Sequence, residues 1–505
     1  MTSGSQFLVL KPVKFHRIQF IQILLILAAT LLAARLAFHP DPRDALRQAD
    51  ALFVAGRHYE AFHAYHALAT RAPGFAPARL RLGMALTVRG ESAAASREFG
   101  WALRLGLNEA DTALARLYQG RLAADMGYAD EASRMWTQIP TSSALYSVRL
   151  ALEAEERLSQ NDYAGAESGY RAALAVGLPD TWRRTAHARI AALLAGSDLT
   201  GAWNEARMAV MQEGRLHPIE QPLATPLRPL PRPDVTQIAA ILASDEAIRP
   251  QLLGQIYLDV GWTRLAEEQF AIARERGSLT QAAEAYSAYA QLLNGDVGVA
   301  LARLHDLALA APDDPRPRIL LALGRLAVHD AQAALTELQE ARRLAPNDPD
   351  VLLALGEWHT AQRDYPAAAA AYAEALRVAP TAMRGAYALA LAQYHLKTSL
   401  QICEKGLPAA TEAVARLPEN AQSWSALAHA RLACGDIAGA RDAAALAQTL
   451  DPASAEAAYH YGRALAALGD RTAARTALIR AADLAPASEW RIRAEEQMAM
   501  WGMAP

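Results

Sequence analysis

The stretch from residue 341 to residue 380 reads ARRLAPNDPDVLLALGEWHTAQRDYPAAAAAYAEALRVAP and contains the pattern that decides the fold. Pro346 and Pro380 stand 34 residues apart in it, and each follows an apolar run. A proline cannot continue a helix, so each one is predicted to end one unit and begin the next. A fixed spacing of this size is typical of stacked helical hairpins.

The same spacing recurs outside this stretch. Small residues stand 12 and 5 positions before Pro346, Pro380, Pro452 and Pro486, as Ala334 and Ala341 do before Pro346. These offsets place both residues on one face of the second helix of a unit, where small side chains allow a close approach. The prolines that keep the spacing are Pro312, Pro346, Pro380, Pro452 and Pro486.

The first helix of each unit carries a large residue followed by a small one, as in Leu355 and Gly356. Glycine inside a helix costs about 1 kcal/mol relative to alanine, so its recurrence predicts close contact with the second helix. A different set of glycines is predicted to form the turn between the two helices. These turn glycines are Gly56, Gly90, Gly127, Gly261, Gly295, Gly435 and Gly469.

The pattern resembles the tetratricopeptide repeat (TPR) family. The residues that carry the resemblance in one unit are Leu253, Gly254, Tyr257, Gly261, Ala266, Phe270 and Ala273. It covers roughly residues 41–486 and implies an all-α, TPR-like α-solenoid, a right-handed superhelix of helical hairpins. Residues 181–213 lack the small-residue register, and the unit that ends at Pro418 carries four extra residues.

The chain is divided by composition. We predict a short basic tail (1–17), a transmembrane anchor (18–38), an N-terminal solenoid (41–213), a proline-rich linker (214–234) and a C-terminal solenoid with a capping helix (235–505). The linker has an alternative interpretation as a polyproline ligand for a partner's aromatic groove.

The anchor is predicted from an uncharged run between Arg17 and Arg35, near the lower length limit for a membrane-spanning helix. A cleaved signal peptide is the alternative, but the small residues near its end lack a small residue two positions earlier. Lys11, Lys14 and Arg17 lie free of acidic neighbours, which favours a cytoplasmic amino terminus. We therefore expect a single-pass inner-membrane protein of bacterial type with its body outside the cytoplasm.

Enzyme function is not expected. The chain has no phosphate-binding glycine loop, nucleophile elbow or paired-cysteine metal motif. A net charge of -3 over 505 residues gives no field that would recruit nucleic acid. His58, His63 and His66 form the densest histidine group, but no carboxylate or cysteine stands ready to complete a metal shell, so we expect neither metal nor cofactor.

The inner face of the superhelix is the expected binding surface for an extended peptide or a partner helix. Tyrosine and arginine offer large contact areas with polar tips, so we predict that they anchor a partner there. The face lacks a lysine-rich clamp for an acidic tail. The predicted groove residues are Glu357, Arg384, Tyr387, Tyr394, His395, Gln422, His429, Tyr459 and Arg463.

These expectations describe a membrane-anchored scaffold that assembles or stabilises a multiprotein envelope complex. The alternatives are an accessory subunit of a membrane enzyme and a subunit of a secretion, pilus or polysaccharide-export machine. Sequence alone names no partner.

The chain has two cysteines, Cys403 and Cys434, both expected in turns on the same edge of neighbouring hairpins. Stacked helices lie about 8–10 Å apart, which is beyond the Cα reach of a disulfide unless the inserted loop closes the gap. Two free thiols are therefore the favoured expectation. A disulfide remains the alternative for a body in an oxidising space.

Overall fold

The computed structural model describes residues 41–160, 162–194, 197–211, 240–259 and 262–503. All regular secondary structure in these ranges is helical, with twenty-five α-helices and one π-helical turn. The helices follow one another as twelve hairpins and a last single helix.

The first helices of the hairpins are α1 (Pro42–Val54), α3 (Ala76–Val88), α5 (Glu109–Asp125), α7 (Tyr146–Ser159), α9 (Asp180–Leu194), α11 (Arg249–Asp259), α13 (Gln281–Leu293), α15 (Arg316–Ala327), α17 (Pro349–Ala361), α19 (Arg384–Thr398), α21 (Ala421–Ala433) and α23 (Ala455–Ala467). The second helices are α2 (His58–Arg71), α4 (Ser92–Leu105), α6 (Ala129–Trp136), α8 (Tyr163–Val176), α10 (Leu199–Met211), α12 (Thr263–Glu275), α14 (Val297–Ala310), α16 (Ala331–Leu344), α18 (Tyr365–Val378), α20 (Leu407–Arg416), α22 (Ile437–Leu450) and α24 (Arg471–Leu484). The last helix is α25 (Glu489–Met500), and the π-helical turn is Ile402–Gly406.

The helical glycines allow the two helices of a hairpin to approach closely. A Cβ atom on Gly356 would lie 3.0 Å from the ring of Tyr372, and one on Gly83 would lie 2.7 Å from the ring of Phe99. Real Cβ atoms are hardly ever that close to a neighbour, so each glycine leaves the space that an aromatic side chain of the second helix fills. The predicted contact is confirmed at these hairpins.

The turns between the two helices also follow the prediction. Gly56, Gly90, Gly127, Gly295, Gly435 and Gly469 all have positive φ angles. Gly261 lies outside the described residues. At two turns the corresponding residue is not glycine, since His329 and Arg363 adopt φ angles of 62° and 60°. The turn is therefore kept at these two positions, although the left-handed conformation is unfavourable for a residue that has a side chain.

Curvature places the first helices on the inside. First helices of successive hairpins contact each other, for example α13 with α15 and α21 with α23. In the described part of the chain, successive second helices make no comparable contact. The hairpins therefore curve with their first helices along the inner face, as in a TPR-like α-solenoid.

The hairpins on either side of residues 212–239 pack directly on each other. Tyr257 of α11 donates a hydrogen bond to the carbonyl of Ala192 in α9, and it shares one core with Ile190. The guanidinium of Arg189 lies 5.3 Å from the centre of the Trp262 ring. The predicted linker, residues 214–234, lies outside the described residues, so the predicted division into two solenoids remains a prediction.

The two ends of the solenoid meet. Helix α2 contacts helix α24, and Tyr59 of α2 is buried in the same core as Leu478 and Ala482 of α24. The first hairpin is therefore held at both ends, by the second hairpin and by the last one.

No helix in the described ranges is long and apolar enough to cross a bilayer. The predicted anchor, residues 18–38, lies outside those ranges, as does the basic tail at residues 1–17.

Candidate functional site

The inner face carries a cavity of about 900 Å³ near the start of the solenoid. Its walls come from the first helices α1, α3 and α5 together with Tyr65 of α2, and its floor comes from the loop between α6 and α7. Its volume falls within the about 300–1,000 Å³ typical of binding pockets. The apolar lining includes Ala51, Phe53, Val54, Ala110, Ala113, Leu114, Pro140, Ala144 and Leu145.

A charged network crosses the cavity wall. The Arg81 guanidinium lies 3.2 Å from Asp50 of α1 and 3.3 Å from Asp111 of α5. The Tyr65 hydroxyl donates a hydrogen bond of 2.6 Å to Asp50. Three successive hairpins are thus linked by one arginine, which fixes the relative positions of their inner faces.

The network sets the protonation of its members. Burial alone would lower the pKa of Arg81, but Asp50 and Asp111 outweigh it and raise the pKa above its usual value. Burial raises the pKa of the Tyr65 hydroxyl well above its usual value, and Asp50 adds to that rise. Arg81 therefore stays charged and Tyr65 stays a donor at any physiological pH.

The cavity as a whole is weakly acidic. Asp50, Glu109 and Asp111 contribute three carboxylates, while Arg47 and Arg81 contribute two guanidinium groups. Arg81 is already paired with two of the carboxylates, and Arg47 is exposed and paired with Asp44. The site therefore combines an apolar wall with an excess of negative charge.

Local sequence explains the shape of the floor. Helix α6 ends at Trp136 and is short, so the chain runs through Pro140 to the start of α7 without a second helix of full length. The carbonyl of Ile139 accepts a hydrogen bond of 3.1 Å from Arg149, which holds this loop against α7. The side chain of Asn108 caps α5 by accepting from the backbone N–H of Asp111 at 2.8 Å, which fixes the other rim.

Two of the predicted groove tyrosines are buried rather than presented on the surface. Tyr387 donates a hydrogen bond to Asp350 of the preceding first helix, and Tyr394 donates one of 2.6 Å to the carbonyl of Tyr365. The Tyr394 ring also stacks on Tyr372, with ring centres 4.9 Å apart. Both rings hold neighbouring hairpins together, and a role for them in binding a partner stays a prediction.

His395 and Tyr459 are buried as well. His395 is 2% exposed, and its Nδ1 donates to the carbonyl of Leu400 at 2.7 Å, inside the four-residue insertion. Tyr459 is 7% exposed and lies 5.6 Å, centre to centre, from the Trp490 ring. Their roles are to order the insertion and to seat the last helix.

Three predicted residues are half-buried and already engaged. Arg384 pairs with Glu412 and donates to the carbonyl of Leu376 at 3.0 Å. The guanidinium of Arg463 lies 5.8 Å from the centre of the Tyr459 ring. The third is His429, which packs against a second histidine.

His429 stacks on His460 with ring centres 4.5 Å apart. Burial is the largest cause that lowers the pKa of His429 to about 3, and the nearby His460 and Arg463 contribute to the same shift. His460 is fully buried, and burial lowers its pKa too, against the opposing effect of Glu456. Both rings are therefore neutral at physiological pH and contribute packing rather than charge.

Glu357 and Gln422 are the predicted residues that remain exposed. Partial desolvation raises the pKa of Glu357, while Lys397 on α19 lowers it. Glu357 also raises the pKa of Tyr289 on α13, where burial is the larger cause. The inner face of this half thus keeps an exposed carboxylate at Glu357.

The structure joins Cys403 and Cys434 in a disulfide with 5.5 Å between their Cα atoms. Cys403 lies in the π-helical turn, and Cys434 caps the carboxyl end of α21. The expectation of two free thiols is therefore wrong here. The four-residue insertion brings the π-helical turn towards the next hairpin, which closes the gap that stacked helices alone would leave.

The three histidines considered as metal ligands contribute to an aromatic cluster. His58 lies against Phe53, and His63 lies against Tyr59, with 5.1 and 4.6 Å between ring centres. His66 lies 6.0 Å from the Phe62 ring. Within the described ranges, no group of three or more His, Cys, Asp or Glu side chains is arranged to hold a metal ion.

Sequence reasoning missed Asp50, Arg81 and Asp111. A signal for them exists, because they are 31 and 30 residues apart whereas the repeat is 34. A spacing shorter than the repeat by three or four residues moves a side chain back by one helical turn in each successive first helix. Charged residues on such a diagonal line can meet across three hairpins.

The sequence matches no protein-family model and no curated protein. Solved structures with similar folds include yeast Tom70, which is 12% identical over 91% of this chain and 96% of that chain, with a TM-score of 0.39. YrrB, a TPR protein with an unusual peptide-binding site, is 21% identical over 38% of this chain and 97% of that chain, with a TM-score of 0.32. PilF of Pseudomonas aeruginosa is 16% identical over 44% of this chain and 97% of that chain, with a TM-score of 0.37. These values assign no function, and the TPR-like fold rests on the chain's own hairpins.

Proposed function

We propose that this protein is a non-enzymatic, membrane-anchored scaffold that binds a segment of a partner protein in the inner-face cavity of α1–α7. The observation that carries the proposal is the cavity itself, an apolar chamber of about 900 Å³ with carboxylates in its wall. Apolar pockets with a few fixed polar groups are the usual form of a binding site.

The partner segment is defined by the chemistry of the cavity. The apolar lining takes an aliphatic or aromatic side chain, and the excess carboxylate favours a lysine or arginine next to it. An extended peptide or one face of a helix can present these two groups together. The preformed Arg81 network keeps the receiving surface rigid, so binding does not have to order it.

Two features support the placement of the body outside the cytoplasm. The uncharged run at residues 18–34 is proposed as the anchor, with the basic residues before it on the cytoplasmic side. The disulfide between Cys403 and Cys434 fits an oxidising space, where such bonds persist. An anchored array next to a membrane is suited to assembling an envelope complex.

Peptide binding tests the cavity. Fluorescence anisotropy would compare twelve-residue peptides that carry a central Leu–Lys, Leu–Glu or Ser–Lys pair. We expect the Leu–Lys peptide to bind best and Ala110→Trp, which fills the cavity from α5, to weaken its binding by at least about tenfold. Ala370→Trp on α18 is the matched control, because Ala370 is also an exposed helical alanine but lies far from the cavity.

Equal binding of the acidic and basic peptides would contradict the proposed chemistry. Equal binding by Ala110→Trp and Ala370→Trp would contradict the proposed location.

The anchor is tested by a separate experiment. Deletion of residues 18–38 should move the protein from the membrane fraction to the soluble fraction, and unchanged recovery in the membrane fraction would refute the proposed anchor.

A further inference from the structure

The two ends of the solenoid are joined by a contact that involves the start of helix α2. Helix α2 begins after Arg57, which provides no side-chain cap for it. Six other second helices begin after an aspartate whose side chain caps them, namely those after Asp162, Asp198, Asp330, Asp364, Asp436 and Asp470. The first hairpin therefore lacks the cap that is common in the rest of the array.

The missing cap is supplied from the other end of the chain. Asp483, in the last turn of α24, accepts a hydrogen bond of 2.7 Å from the backbone N–H of Tyr59. Tyr59 is the second residue of α2, which is the position that an N-cap side chain normally satisfies. In two other hairpins the residue at the position of Asp483 is an arginine, Arg343 or Arg377. Two departures from the repeat, at Arg57 and Asp483, thus complement each other.

Further contacts surround this cap. Arg89, at the end of α3, donates to both carboxylate oxygens of Glu495 in α25, at 2.6 and 3.2 Å. Its guanidinium also lies 4.0 Å from the centre of the Phe62 ring. A Cβ atom on Gly90 would lie 3.2 Å from that of Ala487, so the turn after α3 touches the turn before α25. We call this set of contacts, centred on Asp483, Arg89, Glu495 and Ala487, the end contact.

The end contact and the cavity share one structural unit. The first hairpin supplies Tyr59 to the end contact, and it supplies Phe53 and Tyr65 to the cavity. Helix α3 links them a second time, because Arg81 lies in the cavity wall and Arg89 in the end contact. Displacement of the first hairpin must therefore alter both.

We propose that the end contact is a latch that regulates the cavity, with the first hairpin held in its cavity-forming position only while the latch is closed. This inference rests on the proposed function for the meaning of the cavity, but the coupling itself is a property of the protein alone. The latch combines a buried tyrosine with charged pairs, so it can open without unfolding the hairpins on either side.

The test uses the full chain without any partner. Asp483→Ala with Ala487→Glu removes the cap and wedges the two turns apart. Ala453→Glu is the matched control, because Ala453 lies one repeat earlier, in the turn between α22 and α23, and is likewise exposed. Gly90→Cys with Ala487→Cys locks the latch, since the two Cβ positions lie close to disulfide distance.

Small-angle scattering and hydrogen exchange give the readouts. In the wedged variant we expect a larger radius of gyration and at least about tenfold faster exchange in α1, α2 and the cavity floor at residues 137–145. The control variant should match the wild type, and the locked variant should exchange more slowly than the wild type in the same segments.

Two results would overturn the proposal. An unchanged radius of gyration in the wedged variant would show that the end contact does not hold the ends together. A larger radius with unchanged exchange in α1 and the cavity floor would show that the latch does not govern the cavity. Neither result depends on peptide binding, so a failure of the latch is distinguishable from a failure of the proposed binding function.

Discussion

The inner face of α1–α7 and the inner face of α17–α23 are built from the same repeat, yet one is open and the other is filled. In the N-terminal region, alanines such as Ala110 and Ala113 line the face and leave a cavity. In the C-terminal region, Tyr387 reaches from α19 to Asp350 on α17 and closes the space between successive first helices. The size of the side chains between first helices therefore decides whether this fold forms a pocket or a core.

The largest expected effect comes from opening the filled region. Changing Tyr387 and Tyr394 together to Ala removes two buried rings and leaves Asp350 without the hydrogen bond from Tyr387. Loss of a buried aromatic side chain costs about 3–5 kcal/mol, so the pair should lower the free energy of unfolding by at least about 4 kcal/mol. Urea denaturation followed by circular dichroism would measure it.

Tyr128→Ala is the control for this prediction, since Tyr128 is 58% exposed. Its free energy of unfolding should stay within about 0.5 kcal/mol of the wild type. If the double variant is as stable as the control, the two tyrosines do not fill the face in solution, and the contrast between the two regions fails.

The repeat explains why the sequence predicts most of the fold but few of the residues at the candidate site. Spacing of prolines, helical glycines and turn glycines recurs many times, so an error at one hairpin is corrected by the others. The exposure of a given side chain on the inner face is not repeated from hairpin to hairpin in this way. It depends on a rotation of a few tens of degrees of each first helix, which decides whether Tyr394 faces the groove or the carbonyl of Tyr365.

The cavity and the end contact illustrate a second limit. Both depend on residues that are far apart in sequence, such as Tyr59 and Asp483. A repeat pattern predicts neighbours one unit away, but it does not predict which units meet after the solenoid has curved. Departures from the repeat at charged positions are the available signal, and only the three-dimensional arrangement shows which departures are paired.

The disulfide provides the next comparison, because the chain has two cysteines and both lie in the C-terminal region. Changing Cys403 and Cys434 to Ser should lower the free energy of unfolding by about 3 kcal/mol, since a cross-link over 31 residues restricts the unfolded chain. Hydrogen exchange should increase in α19–α21 and stay unchanged in α1–α7. A reductant should reproduce the effect on the wild type and have none on the variant; a stability unchanged by both treatments would contradict the bond.

The helical glycines distinguish the two regions more finely. A Cβ atom on Gly120 would lie 2.3 Å from Nε1 of Trp136, whereas one on Gly356 would lie 3.0 Å from the Tyr372 ring. Alanine gains about 1 kcal/mol in helix propensity, and overpacking costs about 1–3 kcal/mol. Gly120→Ala should therefore destabilise the protein by about 2 kcal/mol, and Gly356→Ala should leave it within about 1 kcal/mol of the wild type.

Thermal unfolding of the two glycine variants under one set of conditions would check this order. Trp136 also donates a hydrogen bond of 3.1 Å to the carbonyl of Leu117, so it has little freedom to move away from a new methyl group. A larger loss at Gly356 than at Gly120 would mean that the hairpins of the C-terminal region pack more tightly than those around the cavity.

The smallest expected effect is a gain in stability at the turn between α17 and α18. Arg363 has a φ angle of 60°, in the position where Gly295 and Gly435 stand in other hairpins. A residue other than glycine in the left-handed region costs about 1–2 kcal/mol, and glycine avoids this cost. Glycine also makes the unfolded chain more flexible, which offsets part of the gain in stability. Arg363→Gly should therefore raise the free energy of unfolding by about 0.5 kcal/mol.

Arg363→Ala separates the effect of the backbone from that of the arginine side chain. It removes the exposed side chain and keeps the strained backbone, so its stability should equal that of the wild type. If alanine stabilises as much as glycine, the gain comes from removing the arginine side chain, and the left-handed turn carries no strain that glycine relieves.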